Sequence, residues 1–292
     1  MPARRLTAIS AASRMPRAAS PGKRPISRMP SSAHSEEEER GVRQRPNLYG
    51  RRKGPKLSAH QAGLFDTLLP LHRWDSSQEL AGEVWLEIGF GAGEHLLWQA
   101  QHHPAVTLIG AEPYEGGVAK LLSRISLSPT EGEGRGEGVA TRTESSDDAS
   151  PPPHPGLLPP WGRRGNIKIH MGDARDILAA LPGASLGRVF VLFPDPWPKT
   201  RHHKRRFLQT EMLDTLARLM TPGAELRFAS DDAPLVEYTL ERLMAHPDFT
   251  WTAARAEDWK TRPAGWPPTR YEAKQLHGVP AFLRFVRNPA TL

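Results

Sequence analysis

The chain has 292 residues, a formal net charge of +7 and no cysteine, which excludes disulfides, thiolate nucleophiles and cysteine-bound zinc. Its apolar runs are shorter than the roughly 18 residues of a membrane span, and no apolar stretch follows the N-terminal arginines as it would in a secretory signal. We therefore expect a soluble, cytoplasmic protein with no membrane partner.

Positive charge is concentrated at the N-terminus. The first 56 residues hold 14 Lys and Arg and four Glu, whereas the rest of the chain carries a net charge of −3. Residues 1–35 contain no acidic residue, which is typical of an organellar transit peptide, but their prolines would break the amphipathic helix that such a peptide needs. We interpret residues 1–47 as a disordered basic tail or an over-extended start, whose charge favours a polyanionic partner.

A second unusual stretch covers residues 126–165, where 14 of 40 residues are Gly or Pro. This composition is typical of low-complexity sequence. We interpret it as an insertion into a single domain that comprises residues 48–125 and 166–292.

We expect deletion of residues 128–163 to leave the fold and activity largely intact. Its Gly and Pro content cannot build a core, and shortening a long loop changes the closure entropy little. Thermal unfolding of the deletion variant checks this, and a large drop in Tm would reveal an ordered element.

The remaining sequence alternates strand-like and helix-like segments. Short apolar or β-branched runs lie at 84–88, 106–111, 167–170, 189–193 and 224–230, with closing strands at 249–253 and 282–286. Helical patterns lie at 94–101, 115–125, 174–180, 207–220 and 233–245. This alternation predicts an α/β fold, a Rossmann-like, doubly wound and mostly parallel sheet of about seven strands, with ligands bound beyond the strands' carboxyl ends.

The first predicted strand runs into a glycine-rich turn that contains Gly89, Gly91 and Gly93. Glycines let the backbone approach a ligand closely, but Glu87 just before them would repel a pyrophosphate. Glu112 lies at the end of the next predicted strand, where an acid can bind a ribose diol. Two acids around this turn favour a cationic ligand such as S-adenosylmethionine over a dinucleotide.

Asp173 follows the third predicted strand, where an acid could reach an adenine amino group. Aspartate is also a common helix N-cap, so both interpretations stay open at this point.

The fourth predicted strand leads into Asp195, which is held between two prolines, and then into Trp197. Proline fixes φ, so the carboxylate lies on a stiff loop. Five cations follow: Lys199, Arg201, Lys204, Arg205 and Arg206. We interpret the cations as phosphate ligands and the tryptophan as a stacking surface for a base. A proline-rich turn followed by a solvated charge run is the alternative.

The motifs at 86–93, 110–113, 172–174, 193–206, 228–231 and 269–272 occur in an order and spacing that resemble the bacterial tRNA (guanine-N7)-methyltransferase family. The resemblance covers about residues 48–288 except the insertion. It implies a class I methyltransferase fold, S-adenosylmethionine as cofactor, and tRNA as substrate, methylated at the variable-loop guanosine 46.

The resemblance also assigns roles to single residues. It implies that the cofactor is bound by Glu87, Glu112, Asp173 and Asp195, of which Asp195 is also catalytic; the glycine turn adds Gly89, Gly91 and Gly93. It implies that the tRNA is bound by Lys199, Asp231, Thr269, Arg270, Tyr271 and Glu272; the basic run adds Arg201, Lys204 and Arg205. The insertion and the long basic tail depart from the family pattern without touching a motif.

These residue types suit methyl transfer to guanine N7. The nitrogen has an in-plane lone pair, so the reaction needs alignment rather than a strong base. A carboxylate at the guanine edge can accept hydrogen bonds from N1–H and N2–H and stabilise the purine cation. Asp195 is our candidate and Asp231 could share the role. No His, Asp and Glu spacing indicates a metal site.

Two other classes of function remain open on sequence alone. A small-molecule S-adenosylmethionine methyltransferase would not need the basic run, and a non-catalytic RNA-binding domain would not need Glu87 and Glu112 beside the glycine turn. We expect no obligate protein partner and a monomer or homodimer.

Overall fold

The computed structural model describes residues 52–127, 166–274 and 276–289. The predicted tail at 1–47 lies outside the described residues, as does the predicted insertion except for its first two residues. The first of these, Ser126, ends a helix. None of the helices in the described ranges is both long and apolar enough to cross a membrane.

The described residues form one seven-stranded sheet. The strands are β1 (Val84–Ile88), β2 (Thr107–Ala111), β3 (Ile167–His170), β4 (Leu186–Leu192), β5 (Met220–Ser230), β6 (Phe249–Trp251) and β7 (Ala281–Arg287). Their order is β3-β2-β1-β4-β5-β7-β6, with β1 to β5 paired in parallel and β7 antiparallel to both neighbours. The predicted Rossmann-like, mostly parallel sheet is confirmed.

Helices cover both faces of the sheet. They are α1 (Ala59–Thr67), α2 (Leu69–His72), α3 (Glu94–His102), α4 (Glu115–Ser126), α5 (Ala174–Ala180), α6 (Thr210–Leu219), α7 (Ala233–Ala245), α8 (Glu257–Lys260) and α9 (Arg270–Lys274), with a 3₁₀ helix at Thr200–Arg205. Five of these helices were not predicted from the sequence: α1, α2, α8, α9 and the 3₁₀ helix. A capping box of Ser58 and Gln61 opens α1, so a local signal for that helix was present.

The core has one apolar layer on each face of the sheet, because side chains alternate along each strand. On β4, Val189 contributes to one layer and Phe190 to the other, and both are fully buried. Every residue of β1 is buried. Burial on both faces explains why the central strands are continuous apolar runs.

The carboxyl ends of the parallel strands meet at one edge of the sheet. The loop after β1 carries the glycine turn, and the loop after β4 carries Asp195. Glu112, Asp173 and Asp231 directly follow or lie shortly after β2, β3 and β5. The fold therefore brings the predicted site residues of five strands to the same edge.

Candidate functional site

The glycine turn has a backbone that side chains would not permit. Gly89, Gly91 and Gly93 have φ values of +74°, +57° and +77°, the left-handed region that favours glycine. A Cβ on Gly93 would also lie 2.6 Å from Cδ1 of Leu121, so the turn packs tightly against α4. Both restrictions fix the path of the backbone from β1 into α3.

Glu112 holds this turn from the neighbouring strand. Its Oε2 accepts a hydrogen bond of 2.7 Å from Gly91 N, and its Oε1 accepts one of 2.8 Å from Tyr114 N. Burial raises the pKa of Glu112 above its ordinary value, although the two backbone donors act in the opposite direction. The side chain thus both shapes the turn and places a carboxylate at the cavity described below.

Glu87 has a protein partner that the sequence analysis missed. Only 3% of Glu87 is exposed, and its Oε2 lies 2.8 Å from Nδ1 of the equally buried His95. The spacing of eight residues crosses the turn into α3, so helical periodicity alone does not indicate the pair. Glu87 lies behind the turn rather than in the cavity wall.

Asp173 is the N-cap of α5. Its Oδ1 accepts a 3.0 Å hydrogen bond from Arg175 N, and its carboxylate also binds the guanidinium of Arg175 at 2.9–3.0 Å. Asp173 is therefore a helix N-cap, which is one of the two interpretations that the sequence left open. Arg175 itself lines the cavity, and the sequence analysis did not identify it.

Asp195 lies on a strained loop. Phe193 and Trp197 on either side have φ values of +50° and +47°, which bulky residues rarely adopt. Among the described residues none forms a hydrogen bond or ion pair with the Asp195 carboxylate. Asp195 remains exposed to solvent, yet the surrounding protein excludes enough water to raise the pKa of its carboxyl group above the ordinary value.

A cavity of about 400 Å³ opens at this edge of the sheet. Its walls include predicted site residues from four separate segments: Gly89, Gly91, Glu112, Asp195, Arg205 and Tyr271. A larger cavity of about 840 Å³ lies at the opposite edge, where the loop after α5 and the first residues of β5 line it. That cavity contains none of the predicted site residues, so we place the candidate site in the smaller one.

The basic run divides into exposed and buried cations. Lys199, Arg201 and Lys204 are exposed on the 3₁₀ helix and the residue before it. Arg205 is half-buried, with its Cζ 4.9 Å from the ring centroid of Trp197. Three of the cations can therefore meet an external polyanion directly, while Arg205 faces the cavity.

Arg206 contradicts the prediction that it binds tRNA phosphate. Only 4% of it is exposed, its Nε donates a 3.0 Å hydrogen bond to Pro196 O, and its Cζ lies 4.5 Å from the ring centroid of Tyr238. Because the buried guanidinium binds the carbonyl oxygen of Pro196, Arg206 stabilises the loop that carries Asp195.

The predicted tRNA-binding segment 269–272 lies against the glycine turn. A Cβ on Gly91 would lie 3.2 Å from Cε2 of Tyr271, which shows how closely the ring approaches the turn. Arg270 lies 3.8 Å from Glu94, and Thr269 Oγ1 accepts a 3.2 Å hydrogen bond from Glu272 N. Tyr271 therefore forms part of the cavity wall, and the segment lies in contact with the glycine turn.

Two acids of the predicted tRNA site also have protein partners. The Glu272 carboxylate lies 3.6 Å from Nε of Arg262, and Asp231 Oδ2 accepts a 3.1 Å hydrogen bond from His277 N. The first contact joins α9 to the loop before it, and the second joins the residues after α9 to the end of β5. In the described ranges, no group of three His, Asp or Glu side chains is placed to share a metal ion.

Residues 81–280 match a family model described as "Putative methyltransferase". A tRNA (guanine-N(7)-)-methyltransferase of Rhodospirillum rubrum is 43% identical over 258 residues, covering 83% of this chain and 88% of the relative. The corresponding protein of Azorhizobium caulinodans is 39% identical, covering 88% and 99%. The solved structure of the 16S rRNA methyltransferase KamB aligns with 82% of this chain and 99% of its own, at 15% identity and a TM-score of 0.42.

Proposed function

The chain belongs to the tRNA (guanine-N(7)-)-methyltransferase family, and we propose that it transfers the methyl group of S-adenosylmethionine to N7 of guanosine 46 in the variable loop of tRNA. The observation that carries this proposal is the position of Asp195. Its carboxylate, which has no hydrogen-bond or ion-pair partner among the described residues, lies in the wall of a cavity that the glycine turn borders on one side and the 3₁₀ helix with its exposed cations borders on the other.

The residues of the cavity fit the cofactor of this family. When bound, S-adenosylmethionine supplies an electrophilic methyl group on a positively charged sulfur. Glu112 and Asp195 place negative charge on the cavity wall, which favours a cation, and Glu112 can accept from ribose hydroxyls. The backbone of Gly89 and Gly91 is open to close approach by a ligand. Asp173 and its partner Arg175 lie at the end of β3, where the adenine would be held.

Asp195 binds and stabilises the base. With both substrates bound, the lone pair of guanine N7 would form the new N–C bond to the methyl group. The C–S bond would break at the same time and leave its electron pair on sulfur. The positive charge therefore moves onto the purine. Asp195 accepts hydrogen bonds from guanine N1–H and N2–H and stabilises this charge as it develops, and the loop prolines fix the direction of its carboxylate.

Lys199, Arg201 and Lys204 bind tRNA phosphates, because they are exposed beside the cavity. Arg205 lies nearer the reacting base. Asp231 and residues 269–272 complete the tRNA site from the opposite wall. Gly93 acts through the turn, since it packs on α4 rather than lining the cavity.

We expect the double variant Arg201→Ala and Lys204→Ala to show a weaker salt dependence of tRNA binding. Each lost phosphate contact lowers the slope of log affinity against log salt by about 0.7–0.9, so the slope should flatten by about 1.4–1.8. The apparent KM for tRNA should rise, while the affinity for S-adenosylmethionine alone should not change. Binding measured at several salt concentrations checks this.

Arg218→Ala is the matched control. This exposed arginine lies in the last turn of α6, beside the loop at the opposite edge of the sheet, where Ala184 N donates to its carbonyl oxygen. Its removal should leave the slope unchanged. A wild-type slope in the double variant would instead mean that the run is only a solvated surface.

The direct test of the proposed function is nucleoside analysis of unmodified tRNA incubated with the protein and labelled S-adenosylmethionine. We expect label in 7-methylguanosine, and none when guanosine 46 is replaced by adenosine. Equal transfer to free guanosine would indicate a small-molecule methyltransferase. Binding of tRNA without any transfer would indicate a non-catalytic RNA-binding domain.

We also propose that residues 48–125 and 166–292 act as one catalytic domain, as a monomer or homodimer without an obligate partner protein. The proposed place of action is the cytoplasm, because tRNA is modified there in bacteria such as those of the matched relatives.

A further inference from the structure

A buried chain of hydrogen bonds runs from the glycine turn to the segment that carries residues 269–272. Glu87 Oε2 lies 2.8 Å from His95 Nδ1, and His95 Nε2 lies 3.0 Å from Gln99 Nε2. Gln99 Nε2 in turn donates a 3.2 Å hydrogen bond to Gly265 O. The exposed fractions of Glu87, His95 and Gln99 are 3%, 2% and 0%.

The direction of each bond follows from the groups involved. A carbonyl oxygen only accepts, so the amide nitrogen of Gln99 is the donor to Gly265. The same nitrogen donates a hydrogen bond to His95 Nε2, so the imidazole carries its proton on Nδ1. This N–H donates a hydrogen bond to Glu87 Oε2. Each side chain therefore depends on the next for its orientation.

His95 contacts the same segment a second time. Its ring meets Trp266 edge to face, with centroids 6.1 Å apart, and Trp266 meets Phe282 of β7 in the same way at 5.6 Å. Trp266 is only 5% exposed and follows Gly265 directly. At its other end the segment lies against Gly91 through Tyr271. The segment is thus attached to the glycine turn and α3 at two separate points.

We propose that His95 and Gln99 are positioning residues that hold residues 261–274 against the glycine turn. By fixing this segment, they present Thr269–Glu272 to the tRNA in register with the cofactor cavity. Neither His95 nor Gln99 lines that cavity, so they act through the segment rather than on the reacting groups. This inference rests on the proposed function for the role of Thr269–Glu272, but the attachment of the segment can be measured without activity.

The test is Gln99→Met, which keeps an unbranched side chain of similar length and removes both N–H donors. Loss of the bond to Gly265 should speed amide hydrogen exchange in residues 261–274 and raise the KM for tRNA, each by about threefold to tenfold. The kcat at saturating tRNA and the Kd of S-adenosylmethionine without tRNA should stay within about twofold, since Glu112 and Asp195 lie on other elements and keep their places in the cavity wall.

Thr239→Val is the control. Thr239 is 1% exposed on α7, and its hydroxyl has no hydrogen-bond partner among the described residues, so its loss removes a buried polar atom without breaking such a chain. We expect wild-type exchange and KM in this variant. Should Gln99→Met not fold, Gln99→Leu also lacks the N–H donors and should show the same changes.

Wild-type exchange of residues 261–274 in the Gln99 variant would overturn the inference, as would an equal acceleration in Thr239→Val. If the wild-type protein transfers no methyl group to tRNA, the proposed function fails. The exchange measurement would still decide whether Gln99 holds the segment, so the two failures are distinguishable.

Discussion

The variant Asp195→Asn should lose about a hundredfold to a thousandfold in kcat, the range for removing one group that stabilises charge in a transition state. An amide keeps the shape of the side chain but not the negative charge that stabilises the cationic purine. Because Glu112 and the glycine turn are unchanged, cofactor binding should survive in part. Single-turnover methyl transfer to tRNA and calorimetric binding of S-adenosylmethionine measure the two effects separately.

Asp214→Asn is the control for this variant. Asp214 is likewise an exposed aspartate, but it lies on α6 away from the cavity, with its Oδ1 3.1 Å from Nε2 of His246, the residue after α7. We expect wild-type turnover there. Wild-type turnover in Asp195→Asn would instead move the role to Asp231 or Glu272.

The raised pKa of Asp195 predicts the pH dependence of the reaction. The active form is the carboxylate, so activity is present above the raised pKa and falls as pH decreases through it, at a higher pH than for an ordinary aspartate of pKa about 3.9. Burial raises the pKa of Glu112 as well, so the acid limb of kcat/KM for S-adenosylmethionine should contain two ionisations. Asp195→Asn should leave only one.

Most of the sheet could be predicted from sequence because its signals are local. The run at 84–88 became β1 without change, and α5 and α7 have the predicted bounds. The errors in predicted bounds lie at the ends of elements, where the apolar pattern continues beyond the strand or helix. Phe193 was predicted as strand, but its positive φ ends β4 at Leu192. The predicted helix at 207–220 was too long, because Gln209 is the N-cap of α6 and Met220 already belongs to β5.

The site was predicted less completely, because its details depend on contacts distant in sequence. Arg201 and Arg206 belong to the same run of cations, and only the turn of the 3₁₀ helix exposes the first and buries the second. Likewise, the donors to Glu112 come from backbone whose conformation the sequence does not specify in detail. Gln99 and Gly265 are 166 residues apart, and no local pattern indicates their bond.

Glu112→Ala should weaken binding of S-adenosylmethionine by about 1–3 kcal/mol, or roughly fivefold to 150-fold in Kd. The variant loses the acceptor for the ribose hydroxyls. It also leaves Gly91 N and Tyr114 N without the carboxylate oxygens that now lie 2.7 and 2.8 Å away. Since Gly91 forms part of the cavity wall, the turn loses part of its support as well, and the loss should lie toward the upper end of this range.

Glu115→Ala is the matched control, because Glu115 lies three residues further along and does not line the cavity. Calorimetric titration of both variants without tRNA isolates cofactor binding from substrate binding. We expect near wild-type affinity in the control. An unchanged Kd in Glu112→Ala would remove Glu112 from the cofactor site, and would leave its two backbone hydrogen bonds as a purely structural support of the glycine turn.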